Sequence, residues 1–367
     1  PGILIREVDL TIGRIDGSTG KVGGIVGSFE KGPVGQPTIV TGENDLFDQF
    51  GQPYDTDKQY ETWMVASSYL SYGGTLSVVR ADDDDLFNSF VGTATSIKIK
   101  STEHYQELGY QENTLNTATV VSRNPGTWAN GIKVATIDSK ADQVLRGIDF
   151  TSDALGIGSE SFSDPNNIVG AAITQTAVGR TAATSAGTKT LDGYIKGIVT
   201  GVNTTSSPST VEVKVLSHVS AAGTVTPVDY TQGGIYNFTS TGAVGLTTTG
   251  QGITATGAGF STTTGSITYT SQQDWFSKQD IQLSVGTLEW DALADKPGTS
   301  AYAASRGGRF DEVHVVVIDD KGEITGNAGT ILEKHLNLSK AKDAEYSVGS
   351  TAYWRKYLAT NSKYIYG

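Results

Sequence analysis

Thr56-Asp57-Lys58-Gln59, the run Tyr60 to Gly74, and Thr75-Leu76-Ser77-Val78-Val79-Arg80 decide how this chain is read. Thr56 and Gln59 have the spacing of a capping box, in which side chains at both ends satisfy the orphan amides of a first turn. Tyr60, Trp63, Met64, Ser67 and Leu70 then recur at helical spacing. Gly73-Gly74 stops that helix, and Thr75 to Arg80 is apolar and β-branched enough for a buried strand. Upstream, Val22 to Phe29 reads as a glycine-rich strand, Pro37 to Val40 as extended, and Glu43 to Phe50 as a short helix capped by Thr41 and closed by Gly51. Strand, helix and strand at this spacing predict an α/β layer.

Working outward, the character changes at Asp82-Asp83-Asp84-Asp85, which reads as a solvated boundary loop. Leu86-Phe87 breaks the pattern of a calcium loop. From about 93 to 305 charges thin out and Thr, Ser and Gly dominate. Ser96 to Lys100, Ile132 to Ile137 and Val211 to Leu216 alternate like strands. From Phe310 the α/β signature returns. Val313 to Ile318 is a strand, Asp319 to Gly322 a turn, Thr330 to Leu336 a helix, and Ser350 caps a helix bearing Tyr353, Trp354, Tyr357 and Leu358. Lys363 to Tyr366 opens a last strand. The expected fold is α+β/α/β: a discontinuous α/β core (21–92 and 306–367), interrupted by a β-rich insertion of one or two domains (93–305) and preceded by an extended arm (1–20).

In that arm Leu4, Val8, Leu10 and Ile12 share one face at period two, with Ile3 and Ile5 beside them; Gly13, Gly17 and Gly20 then break structure. A strand with a flexible tether and no hairpin partner must find backbone partners elsewhere. Two readings follow: an edge strand of its own domain, or a strand donated to another subunit.

Composition narrows the function. The 367 residues hold 27 basic and 39 acidic side chains, a net charge of −12, which disfavours broad contact with nucleic acid phosphates or anionic lipid. With 37% hydrophobic residues and 45 glycines the chain is a folding one. No run approaches the ~18 apolar residues of a membrane span, and the Arg6-Glu7 charge pair does not fit a signal peptide. A soluble protein without direct membrane insertion is expected. There are no cysteines, and none of His104, His218, His314 and His335 has a ligand partner at metal spacing. Gly20-Lys21 lacks the earlier glycine and the following hydroxyl of a phosphate loop, and Gly23-Gly24-Ile25-Val26-Gly27 lacks the first glycine of a dinucleotide fingerprint. Asp274, Asp280, Glu289 and Asp291 are the acids that could pair in a glycosidase-like cleft. Trp63 and Trp354 read as core and Trp128 as packing under a Pro-Gly turn. No cofactor and no enzyme activity are expected. A β-rich domain binding a host glycan, as in a tail fibre or adhesin, is the alternative reading.

Several segments together resemble the N-terminal portion of the contractile tail sheath proteins of long-tailed, myovirus-type bacteriophages. These are Pro1-Gly2-Ile3 with Glu7, the Gly24 to Gly35 strand and turn, Phe50-Gly51-Gln52-Pro53, the helix through Tyr72-Gly73-Gly74, and Leu76 to Ala81. Gly126-Thr127-Trp128-Ala129-Asn130-Gly131-Ile132 is similar to another landmark, with Ala129 where glycine is more usual. Leu332-Glu333, Leu338-Ser339 and Asn361 to Ile365 resemble a late return to the core. The likeness spans about residues 1–135 and 308–367.

The resemblance implies a non-enzymatic subunit that polymerises with itself into stacked helical rings around a tail tube protein, with baseplate and tail terminator at the ends. Contraction would drive the tube through the host envelope. It implies that Ile3, Leu4, Ile5, Val8, Leu10 and Ile12 are donated to a neighbour and that Gly13, Gly17 and Gly20 are the hinge. It also implies an outward-facing insertion, a C-terminal domain beyond Gly367 carrying tube contacts, and a place in the virion tail after assembly in the host cytoplasm.

Overall fold

A computed structural model describes residues 22–54, 59–92, 94–110, 117–141, 143–146, 169–170, 172–176, 181–184, 187–203, 205, 210–227, 244–248, 251–255 and 274–367, and structural statements refer to these. The arm and the Thr56 to Lys58 part of the capping box lie outside them. The chain divides into two compact units. The first holds residues up to Asn130 together with Lys363–Tyr366; the second holds Gly131–Ser362 and Gly367.

In the first unit the elements are β1 (Val22–Gly27), β2 (Thr38–Val40), α1 (Glu43–Phe50), α2 (Gln59–Ser71), β3 (Thr75–Arg80), β4 (Phe90–Gly92), α3 (Thr102–Glu107) and β5 (Ala118–Ser122). β3 is central in the sheet β1-β3-β2, parallel to β1 and antiparallel to β2. Alternate β3 residues Leu76, Val78 and Arg80 are buried. Leu76 and Val78 meet Phe29, Val40, Leu46, Phe50, Trp63, Ala66 and Leu70 in one core. Helix α2 lies against that face. A Cβ on Gly23 would sit 2.8 Å from the Tyr69 ring and one on Gly27 2.4 Å from Thr62, so only glycine admits the helix this close. Trp63 anchors it further, donating its indole N–H to the Gly51 carbonyl at 2.9 Å. Gly51, at φ 83°, closes α1. The helix cap is Gly42, not Thr41, whose amide is bonded by Asp45.

Ser96 to Lys100 is not a ladder strand. Its alternation is real, with Ile97 and Ile99 buried, but its partners are scattered: Asn88 accepts from the Ile99 amide, donates to the Ile99 carbonyl and gives its own amide to Ile97 O, while the Val34 amide bonds Lys100 O. The terminal strand Ile365–Tyr366 pairs antiparallel with β5 and completes a second sheet with β4. Tyr366 stacks on Tyr105 at 4.1 Å, with the Arg123 guanidinium 4.5 Å from its ring centroid.

In the second unit the strands run β6 (Ile132–Asp138), β7 (Gln143–Arg146), β8 (Ala172–Thr176), β9 (Thr181–Thr184), β10 (Gly187–Thr190), β11 (Tyr194–Asn203), β12 (Thr210–Val219), β13 (Val225–Pro227), β14 (Val244–Thr248), β15 (Gln251–Ala255), β16 (Asp280–Leu283) and β17 (Gly286–Glu289). The short helix α4 (Ala301–Ala304) follows, then β18 (Glu312–Asp319), β19 (Thr330–Ser339) and helix α5 (Trp354–Asn361). β11 and β12 lead a seven-stranded antiparallel sheet. β18 is buried nearly throughout, between β6 and β19. Ile137, Ile198, Leu216, Trp275, Phe276, Trp290, Val316 and Ile318 share a core that joins both sheets.

Two expectations fail here. Thr330 to Leu336 is strand, so His335 lies on a strand as well. β18 has backbone groups on both edges to satisfy, and β19 supplies one side. A bulge at Asn337, φ 54°, breaks the period of two, and its amide donates to His314. Ser350 does not cap α5: Tyr353 occupies that position. None of the described helices is long and apolar enough to cross a membrane.

Candidate functional site

Arg80 is the last residue of β3, on its helix-facing side and 3% exposed. A buried guanidinium needs acceptors, and here they are backbone carbonyls. Nε donates to Phe29 O at 2.8 Å, Nη1 to Gly32 O at 3.1 Å and Pro125 O at 2.7 Å, and Nη2 to Glu30 O at 3.1 Å. Burial lowers its pKa to about 10, with Tyr54, Glu30 and Asp82 pulling the other way, so it is cationic at neutral pH. A planar fork of donors can hold two loops together in this way, where an ammonium could not. Gly126, at φ 128°, lies so close that a Cβ there would be 2.9 Å from Glu30 O and 3.1 Å from Arg80 Nη2. Glu30 in turn accepts from the Gln52 amide at 2.7 Å, and Lys31 donates its amide to Phe50 O. The segments Gly24–Gly35, Phe50–Pro53, Leu76–Ala81 and Gly126–Asn130, scattered in sequence, therefore meet around one side chain.

β1 and β3 are parallel, and the loops leaving their carboxyl ends border a cleft of about 770 Å³ lined by Glu30, Tyr54, Asp85, Phe87, Ser89 and Asn130, among others. The carboxyl end of parallel strands is where α/β sheets open to a partner. All four residues of the Asp82 to Asp85 run are exposed, and Asp85 lines the cleft. Among the described residues Asp82 alone of the four forms an ion pair, with Lys98 and Lys100 at 2.7 Å each. Hydrogen bonds from Lys100 and then Lys98 lower its pKa to about 2.

The sequence-predicted site residues fare differently. Ile3, Leu4, Ile5, Val8, Leu10, Ile12, Gly13, Gly17 and Gly20 lie outside the described residues. Of the four acids weighed for hydrolysis, Asp280 and Glu289 face each other across β16 and β17, and burial, then Glu289 and Asp291, raise the Asp280 carboxyl. Asp274 is bound by Lys296 at 3.0 Å. Two of the histidines bond backbone carbonyls, His218 that of Asp192 and His314 that of Asp295, while His335 bonds the Glu333 carboxylate at 2.9 Å. Among the described residues no group of three or more His, Asp or Glu could hold a metal. Trp63 and Trp128 are buried; Trp128 donates to Asn124 O, while Trp354 is only half-buried. Sequence reasoning missed Arg80 as a hub. The signal available was an arginine closing an otherwise apolar strand, where a charge needs a buried partner.

No protein family's sequence model matches the chain. Two known proteins do: the tail sheath protein of Enterobacteria phage T4, 40% identical over 85 residues, and that of Vibrio phage KVP40, 41% identical over 85 residues. Each match covers 23% of this chain and 12% of the relative, so the aligned stretch is a small part of both. Over that stretch the chain is related to tail sheath proteins.

Proposed function

We propose that the chain is a structural, non-enzymatic subunit of a contractile phage tail sheath. It polymerises with its own copies around the tail tube, between baseplate and terminator. It acts in the virion tail after assembling in the host cytoplasm. Residues 2–12 are the strand donated to a neighbour, with Gly13, Gly17 and Gly20 as the hinge. Backbone hydrogen bonds then persist while subunits rotate as rigid bodies during contraction.

The observation that carries this reading is the 40% and 41% identity to two tail sheath proteins over 85 residues. The first unit supports it with surface that assembly could bury. Val22 and Val26 on β1 and Ile39 on β2 are 63%, 71% and 55% exposed on the sheet face away from the core. Tyr60, Met64, Val65 and Tyr72 are exposed on and just beyond α2.

Electron microscopy of the purified full-length protein tests the reading: hollow, striated tubes are expected. Deleting residues 1–15 should leave a folded monomer that does not polymerise. Normal tubes from the deletion would remove the arm's role, and the absence of tubes from the unaltered full-length protein would remove the sheath reading.

A further inference from the structure

The cleft at the carboxyl ends of β1 and β3 is acidic at its mouth and aromatic in its wall. Glu30 and Asp85 line it with Tyr54 and Phe87, 39% and 40% exposed. Asp84 stands beside Asp85 without a cationic partner among the described residues, whereas the Asp83 carbonyl already accepts from the Lys98 ammonium. The Arg80 cation is already held by four carbonyls. Carboxylates and aromatic faces together favour a guanidinium or ammonium followed by an apolar group.

The second unit presents that combination. The exposed loop after α4 reads Ser305-Arg306-Gly307-Gly308-Arg309-Phe310. Arg306 is engaged, 3.6 Å above the Tyr302 ring. Arg309 is exposed and has no ion pair or ring contact among the described residues. Phe310, 42% exposed, is held at φ 57°, and its amide is bonded by Thr299. An aromatic residue in the left-handed region is strained, and such strain persists only where the surrounding structure over-determines it.

We propose that the Arg309–Phe310 tip of one copy docks in the Glu30–Asp85 cleft of the next. The contact joins two different surfaces, so it propagates head to tail and does not close a pair, as a helical array requires. The inference rests on the sheath reading for its occupant, a second copy, and on charge complementarity for its location. For a chain of net charge −12, a local cation facing acids offsets the repulsion between copies where they meet.

The chain has no cysteines, so two single variants can be mixed. Ser89→Cys and Phe310→Cys, combined under mild oxidation, are expected to give a cross-linked heterodimer that neither variant gives alone. Asp85→Arg and Arg309→Asp should each raise the concentration needed for assembly on the order of tenfold, and both reversals in one chain should restore it. No heterodimer, or single reversals that assemble like the unaltered chain, would overturn the docking. The two readings separate cleanly. Tubes without the cross-link leave the sheath standing and remove this contact, whereas the cross-link without tubes keeps the contact and removes the sheath.

Discussion

Arg80 Nη1 donates to the Pro125 carbonyl at 2.7 Å, across 45 positions of sequence. The same guanidinium reaches Phe29, Glu30 and Gly32, so one side chain holds two loops at the end of the parallel strands.

Replacing Arg80 by Met should destabilise the first unit by about 3 kcal/mol or more, because four carbonyls lose their donors in a dry site. Arg80→Lys should recover less than half of that, since an ammonium cannot span the four acceptors. Denaturant unfolding followed through Trp63 and Trp128 reads the shift in midpoint. A midpoint unchanged in Arg80→Met would show the hub to be dispensable.

Gly126→Ala should cost about 1–3 kcal/mol through backbone strain and the Cβ's contact with Glu30 O. Gly35→Ala is the comparison. Its φ is also positive, at 69°, but its Cβ would meet nothing within 4 Å, so it should lose only the ~1 kcal/mol of the left-handed backbone. The effects of Gly126→Ala and Arg80→Met should fall short of additivity in the double variant, because both act on one cluster.

Asp311 predicts an acid limb of stability. Burial would raise its carboxyl, but the Ser300 hydroxyl, the Ser339 hydroxyl and the Ser300 amide together outweigh burial and hold it below its ordinary value. A carboxyl with a depressed folded pKa contributes stability above its unfolded value of about 3.9. That contribution disappears as pH falls through the lower folded value. Thermal midpoints of the unaltered chain should therefore drop below about pH 4. Asp311→Asn should start lower at pH 7 and converge with it in acid. Parallel curves at every pH would exclude Asp311 as the cause.

Lys214 is 1% exposed, 3.1 Å from Asp138 and 4.9 Å from the Trp275 ring centroid. Lys340 binds the other oxygen of Asp138 at 2.5 Å, so removing Lys214 does not strand the carboxylate. Lys214→Met, similar in length and apolar, should therefore lie within about 1 kcal/mol of the unaltered chain, while Lys214→Ala leaves a cavity and should cost about 2 kcal/mol or more. Equal losses in the two variants would mean that the charge, and not the volume, matters there.

Where each element's own pattern agreed with its burial, it was legible beforehand. β3 shows this, with Leu76 and Val78 inward at period two, as do Gly51 closing α1 and the apolar run of β18. β19 misled because register shifts at Leu332 and at Leu336–Asn337 break its period of two, and Leu332 and Leu336, four apart, fit a helix as well as a strand. Ser96 to Lys100 alternates like a strand but is satisfied by Asn88, Val34 and His104, scattered partners that no local pattern announces.

Local chemistry along the chain was thus enough to establish the strand–helix–strand layer, the glycine stops and the resemblance borne by separate short segments, because propensity, capping and periodicity act over a few residues. That those segments converge on Arg80, that Asp85 at the end of the acidic run lines a cleft, and that β19 is a strand were settled only in three dimensions. Buried charges and backbone groups take whatever partners the fold brings within about 3 Å, and that distance bears no relation to separation along the chain.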